Sequence, residues 1–168
     1  DTEERAYFTD TEHEILFTQT QYQPATNTDT ELDLSYFNHP VKSIHLVSGA
    51  AAGQKWYDEY TFSTSSLYIN GSPLYENTSN VYHHNVVPQM HCTDLPDDVL
   101  DDLPTYSWPF CLTMSKAQPS GTLNFSRIDN AKLIVNNVSG GNTLHRVYAV
   151  NYNILRIKNG MAGVAFGN

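Results

Sequence analysis

Gln118–Asn130, QPSGTLNFSRIDN, is the stretch on which the reading of this chain turns. Pro119 fixes one backbone torsion and Gly121 accepts torsions that other residues resist, so Gln118 to Gly121 predicts a tight reversal. Thr122 to Ile128 then alternates, with Leu123 and Phe125 on one side and Thr122, Asn124 and Ser126 on the other, which predicts an extended strand. Arg127 and Asp129 lie two apart and so share a face of that strand. They read either as an ion pair that fixes the register of neighbouring strands or as a contact with a partner. Asp129-Asn130 supplies a turn, and a second strand is predicted over Ala131–Val138.

Punctuated alternation recurs on both sides of this segment. His13–Tyr22 predicts a half-buried strand with Ile15 and Phe17 on one face. Leu32 and Leu34 pair on one side of Glu31–Ser35, Tyr36–Pro40 breaks it, and Val41–Ser48 resumes with Ile44 and Leu46 inward. Ile69-Asn70-Gly71-Ser72 is a hairpin signal, because Asn-Gly tolerates the positive torsions of a type I′ turn. Thr105–Ser115 predicts a strand carrying Phe110 and Leu112. His145–Lys158 predicts the longest strand, and Gly160–Asn168 a last short one. Asn77–Cys92 is the helix candidate, capped by Thr78 or Ser79, with Val81, Val86 and Val87 inward and Pro88 at its end. Asp1–Asp10 reads as the end of a strand or loop, and Thr93–Pro104 as an acidic surface loop. About eight strands, one short helix in a loop and no βαβ alternation predict an all-β antiparallel sandwich or barrel. Periodicity does not choose between immunoglobulin-like and jelly-roll topologies.

A chain of 168 residues is long enough for one domain with a sizeable core. Hydrophobic residues make up 40% and charged residues 16%, which places it among globular rather than disordered chains. The net charge of −9 argues against a nucleic-acid binder. That charge is uneven: residues 1–120 carry 4 Lys and Arg against 17 Asp and Glu, and residues 121–168 carry 5 against 1. Arg146, Arg156 and Lys158 in the basic final third read as solubilising strand-edge charges, or as contacts to the acidic flank of a neighbouring subunit. Cys92 and Cys111 fit neither a disulfide framework nor a zinc spacing and read as free, largely buried thiols. No apolar run approaches the roughly 20 residues that span a bilayer, so no membrane insertion is expected.

Motifs that carry chemistry are sparse. His83, His84, His91 and Cys92 lie close together, but Pro88 interrupts any shared helical face, so polar packing is expected in place of a metal site. No His-x-His pair, nucleophile elbow or phosphate loop occurs, and no cofactor or catalytic residue is assigned. Asp97, Asp98, Asp101 and Asp102 lack the spacing of a calcium loop. The aromatics Trp56, Tyr57, Tyr60 and Phe62 read as core or as an exposed contact patch. An alternative reading makes Trp56, Tyr57 and Tyr60 the binding face of a glycan-binding jelly roll on a virion or cell surface. Asn-x-Ser/Thr sequons fall at Asn70, Asn77, Asn124 and Asn137, about the number chance supplies; Asn70 at the hairpin tip and Asn77 are the possible glycosylation sites.

QPSGTLNFSRIDN also resembles the signature near the end of the major capsid proteins of nucleocytoplasmic large DNA viruses, of the phycodnavirus and iridovirus type. Asp1–Arg5 (DTEER), Phe37–Val41 (FNHPV) and Val147–Asn168 (VYAVNYNILRIKNGMAGVAFGN) match the same family in order, from the first residue to the last. The pattern is departed from at Leu123, where relatives often carry Cys, and between Trp56 and Asp102. The resemblance implies an eight-stranded jelly roll over residues 1–168, the second of two tandem jelly rolls in a longer chain. It further implies a structural protein and not an enzyme, located in the virion and assembled in the host cytoplasm. Its partners would be copies of itself in trimeric, near-hexagonal capsomers that tile an icosahedral shell, together with minor capsid proteins.

Overall fold

The computed structural model describes residues 1–25, 30–49, 62–93, 105–137 and 144–167. Ten strands run among them: β1 His13–Ala25, β2 Glu31–Asp33, β3 Pro40–Gly49, β4 Thr64–Ile69, β5 Ser72–Ser79, β6 Thr105–Pro109, β7 Leu123–Asn124, β8 Ala131–Asn136, β9 Leu144–Lys158 and β10 Met161–Val164. They form two antiparallel sheets. One has the order β1-β9-β3-β6, with β10 added beside β9 and β7 beside β3; the other has the order β2-β8-β4-β5. Leaving the short β7 and β10 aside, the pairs β1–β9, β2–β8, β3–β6 and β4–β5 nest like the arms of one long hairpin wound over itself. That winding is the jelly roll. The expected eight strands are therefore its frame, and two short strands bring the number to ten.

Side-chain alternation explains how the sheets close on each other. Ala131, Leu133 and Val135 of β8 are buried in strict period two, as are Ile44 and Leu46 of β3 and Val147 and Ala149 of β9. Trp108 and Phe62 fill the space between the sheets, with Leu32 and Leu34 at one margin and Phe37 and Phe125 at another. The β4–β5 hairpin turns on Asn70 (φ 48°) and Gly71 (φ 81°), the pair of positive torsions that the Asn-Gly dipeptide predicted.

Several expectations are corrected. Asp1–Asp10 is a helix, α1 (Thr2–Asp10), capped by Asp1 and completed by the Glu4 side chain in a capping box. Thr122–Ile128 is not one strand. After β7 the Asn124 side chain accepts the Ser126 N–H at 3.1 Å, and this local bond draws Phe125–Arg127 into a 3₁₀ turn. The strand predicted over Thr105–Ser115 stops at Pro109, and Leu112 is exposed. Asn77–Cys92 begins as the end of β5. A π-helical turn (Tyr82–Val86) follows, then the short helix α2 (Val87–His91). Pro88 opens α2 and does not end the helix. Its missing N–H leaves the usual bond to residue 84 unmade, and the Val87 N–H reaches back five residues to the Tyr82 carbonyl. Of the three valines expected inward there, Val87 alone is buried.

Candidate functional site

The segments that first stood out in the sequence meet at one end of the sandwich. β7 pairs with the start of β3, placing Asn124 opposite Pro40 and Leu123 opposite Val41. His39 takes a positive φ of 70°, and its N–H donates to Ser126 Oγ at 2.8 Å while its carbonyl accepts the Phe125 N–H at 3.0 Å. Phe37 and Phe125 meet edge to face beneath this corner. On the neighbouring strands the Gln21 amide donates to the Asn38 carbonyl at 2.6 Å and to Asn151 Oδ1 at 3.1 Å. Asn153 Nδ2 donates to the Phe166 carbonyl at 2.9 Å, and Asn153 Oδ1 accepts the Phe166 N–H at 3.2 Å. A buried side-chain amide thus holds the tail after β10 against the sheet. Polar bonds of this kind fix one arrangement of strands, because leaving any of them unmade in the interior is costly.

The histidine cluster does structural work on a strand edge. β6 pairs with β3 on one side, and its other side faces the π-helical turn and α2. His84 Nδ1–H donates to the Thr105 carbonyl at 2.9 Å and His83 Nδ1–H to the Ser107 carbonyl at 3.0 Å. His91 Nδ1–H is shared between the carbonyls of Cys111 (3.0 Å) and Leu112 (3.1 Å). Thr105 and Ser107 lie two apart on β6, which is the spacing of outward-facing carbonyls on a strand edge, while Cys111 and Leu112 belong to the segment that follows Pro109. Two imidazoles therefore cap the β6 edge against another strand, and the third ties α2 to the segment after it. His83 is fully buried, with its ring on Trp108 at 4.6 Å, and burial pulls its pKa down to about 4. Among the described residues no group of His, Cys, Asp or Glu is placed to hold a metal ion. On the outer face of the same sheet His45 bridges Ser43 and Ser107 through its two ring nitrogens. Burial and the neighbouring Lys42 hold His45 down to about 4 as well. Burial raises the pKa of both thiols, the buried Cys111 and the half-buried Cys92.

The predicted contact residues separate into two groups. Arg156 bonds Glu14 at 2.6 Å and Glu12 at 3.1 Å, and Lys158 bonds Glu12 at 3.0 Å. Glu14 and Arg156 are direct cross-strand partners in the β1–β9 register. These two cations neutralise acids of their own chain. Lys158 and Arg156 hold the Glu12 carboxyl below its usual range. Arg127, Asp129 and Arg146 are exposed and form no salt bridge among the described residues, and Arg127 and Asp129 sit in and just after the 3₁₀ turn, not along a strand. Asn70 and Asn77 are both exposed at positive φ, and Asn70 Oδ1 accepts the N–H groups of Asp129 and Asn130 at 3.1 Å each. Trp56, Tyr57, Tyr60 and the four aspartates of the acidic loop lie outside the described residues.

Sequence periodicity did not expose the apolar margin around β1. Ile15 was expected inward on a half-buried strand, yet it is 49% exposed. The register places Ile15, Leu155 and Val164 side by side across β1, β9 and β10, and Val164 is 46% exposed. Tyr7 and Phe8 of α1 and Phe166 are exposed as well, while the exposed Met161 pairs with Lys158 and so sits on the opposite face of the sheet. β1, thirteen residues long, pairs with β9 alone among the described strands, and none of them lies along its outer edge. The signal was present in the composition of β1, but burial is a property of the neighbours a strand finds.

Comparison with known proteins gives a consistent result. The model of the family described as large eukaryotic DNA virus major capsid protein matches residues 4–163. The chain is 33% identical to the major capsid protein of Pyramimonas orientalis virus over 186 residues, covering 100% of this chain and 46% of that protein. It is 37% identical to the major capsid protein of Phaeocystis pouchetii virus over 156 residues, covering 79% and 29%. Among solved structures, the quasi-atomic model of the PBCV-1 virus capsid superposes with a TM-score of 0.78 at 26% identity, over 100% of this chain and 55% of that one. The chain thus spans about half, or less, of the length of these relatives.

Proposed function

Because the chain belongs to the major capsid protein family of large eukaryotic DNA viruses, we propose that it forms one of the walls from which a capsomer is built. Its matched relatives are structural capsid proteins, not enzymes. In this reading the chain is the second of two tandem jelly rolls, and three copies of the longer protein form a near-hexagonal block of six. Such blocks tile an icosahedral shell, assembled in the host cytoplasm and touched by minor capsid proteins. The coverage of roughly half of the PBCV-1 capsid chain supports the tandem arrangement.

The observation that carries the proposal is the apolar margin at β1. A long strand edge with no further partner among the described strands, beside exposed Ile15 and Val164, is a surface that a solitary soluble domain does not keep. Arg127, Asp129 and Arg146, exposed and without salt-bridge partners among the described residues, are the charged contacts proposed to set orientation between subunits. Arg156 and Lys158 serve by keeping β1 in register. Asn70 and Asn77 are the proposed glycan acceptors. No direct nucleic-acid contact is proposed, given the net charge of −9.

The test replaces Ile15 and Val164 by lysine in the full-length protein and measures mass in solution by light scattering. The wild type is expected as a trimer, and the double variant as a folded monomer with unchanged circular dichroism. A variant that still trimerises removes β1 and β10 from the contact; a monomeric wild type at high concentration removes the proposal.

A further inference from the structure

Lys42 is buried without an acid. It is the extra residue of a β-bulge, because the β3–β9 pairing steps from Val41 to Ser43. A bulge re-aims a side chain, and this one turns Lys42 onto the outer face of the six-stranded sheet. The residue is 4% exposed. Its Nζ donates to the Lys116 carbonyl at 2.8 Å and lies 5.5 Å from the centre of the Tyr152 ring. An ammonium has three N–H donors, and Lys42 forms no salt bridge among the described residues. Tyr152, 5% exposed, has a hydroxyl with no hydrogen-bond partner among the described residues. A buried cation with no carboxylate partner among the described residues and an orphaned buried hydroxyl each cost stability, and a native structure that keeps both side by side calls for an explanation.

Both residues line a cleft of about 450 Å³. Its other polar walls are Thr18, Ser115 and the exposed Lys116, and no acidic residue lines it, although the chain carries a net charge of −9. The remaining walls are apolar, chiefly Leu16, Phe17, Met114 and Val150. Through Met114, Ser115 and Val150 it adjoins a second cleft of about 270 Å³ beside Pro88 and Cys92. One recessed ammonium and one phenol match a single negative charge. The apolar walls match a hydrocarbon body, which an inorganic oxoanion lacks.

We propose that this cleft binds an amphiphilic monocarboxylate, its head on Lys42 Nζ and the Tyr152 hydroxyl and its tail along Leu16, Met114 and Val150. The bulge is then the device that aims the cation, and the anion supplies the partner that the fold does not. Recognition combines a charge-assisted hydrogen bond with burial of the tail.

The test titrates the full-length protein with decanoate, decanol and inorganic phosphate by calorimetry. Decanoate is expected to bind with a Kd of about 10 μM, from twelve heavy atoms at an ordinary ligand efficiency. Decanol, which keeps the tail without the charge, is expected at least about tenfold weaker, and phosphate weaker still. Lys42→Met is expected to cost decanoate at least tenfold and Tyr152→Phe several-fold, with circular dichroism unchanged. Equal binding of decanol, stronger binding of phosphate, full retention in Lys42→Met, or no heat with decanoate up to about 1 mM would each overturn the assignment. If Lys42→Met fails to fold, the comparison of the three ligands on wild type and on Tyr152→Phe still decides.

Discussion

Lowering the pH from 7.5 to 5 should weaken this fold through His83. The ring is fully buried, its Nδ1–H is committed to the Ser107 carbonyl, and its Nε2 has no partner. Protonation would place a second N–H and a charge against Trp108 and Tyr75 with nothing to accept them. The pKa accordingly falls from 6.5 to about 4. The unfolded chain therefore binds the proton first as pH drops, so the stabilisation is complete above 6.5 and drains away as pH falls toward 4. At pH 5 an unfolded imidazole is almost wholly protonated and the folded one hardly at all, which makes the loss about 2 kcal/mol. The limiting loss below both values is about 3 kcal/mol, at 1.36 kcal/mol per pH unit. The assay is urea unfolding at pH 7.5 and pH 5 for the wild type and for His83→Asn, whose amide nitrogen can stand where Nδ1 stands. The variant should be weaker at pH 7.5 by about 1–2 kcal/mol, from lost ring packing, yet lose about 2 kcal/mol less than the wild type on acidification. His45, depressed in the same direction, leaves a residual slope in both proteins. Parallel pH dependence in wild type and variant would refute the assignment of acid sensitivity to this ring.

Gly121→Ala should destabilise strongly, by roughly 2–4 kcal/mol in chemical unfolding. Its φ is 141°, and an added Cβ would sit 2.8 Å from the Phe110 carbonyl oxygen, which is backbone and does not yield easily. Arg156→Ala should cost under about 1 kcal/mol, with the difference from wild type shrinking further in 1 M salt, because the pairs with Glu12 and Glu14 are solvent-exposed. A loss above about 2 kcal/mol would mean that this cross-strand pair does more than neutralise surface charge.

Local chemistry was legible in the sequence where one or two residues decide the backbone. Asn70-Gly71 announces its turn because few other pairs accept two positive torsions, and the alternation of Ala131, Leu133 and Val135 announces a face. The capping box of Asp1 and Glu4 is an equally local signal for α1, outweighed in the sequence reading by the acidity of the segment. What stayed hidden is non-local. The acceptors for His83, His84 and His91 are main-chain carbonyls some twenty residues away, and carbonyls carry no sequence signature. Glu14 and Arg156 are separated by 142 positions and meet because the roll brings the first strand beside the penultimate one. Thr122–Ile128 has strand-like alternation, yet one Asn124 side chain competing for the Ser126 N–H converts half of it to a tighter turn.

The imidazole row along β6 has a bearing on how copies of this protein can meet. Strand addition needs free carbonyls and amides, and on that flank two rings already occupy the carbonyls of Thr105 and Ser107. The opposite flank, β1, has no further strand paired to it among the described residues. A sheet with one flank stoppered and the other free is polar in the way a plug is polar: it can accept a neighbour, but it cannot hand the same offer on. If copies assemble as proposed, ribbons that lengthen strand by strand would be blocked at every second step, and growth would be steered toward sets that close.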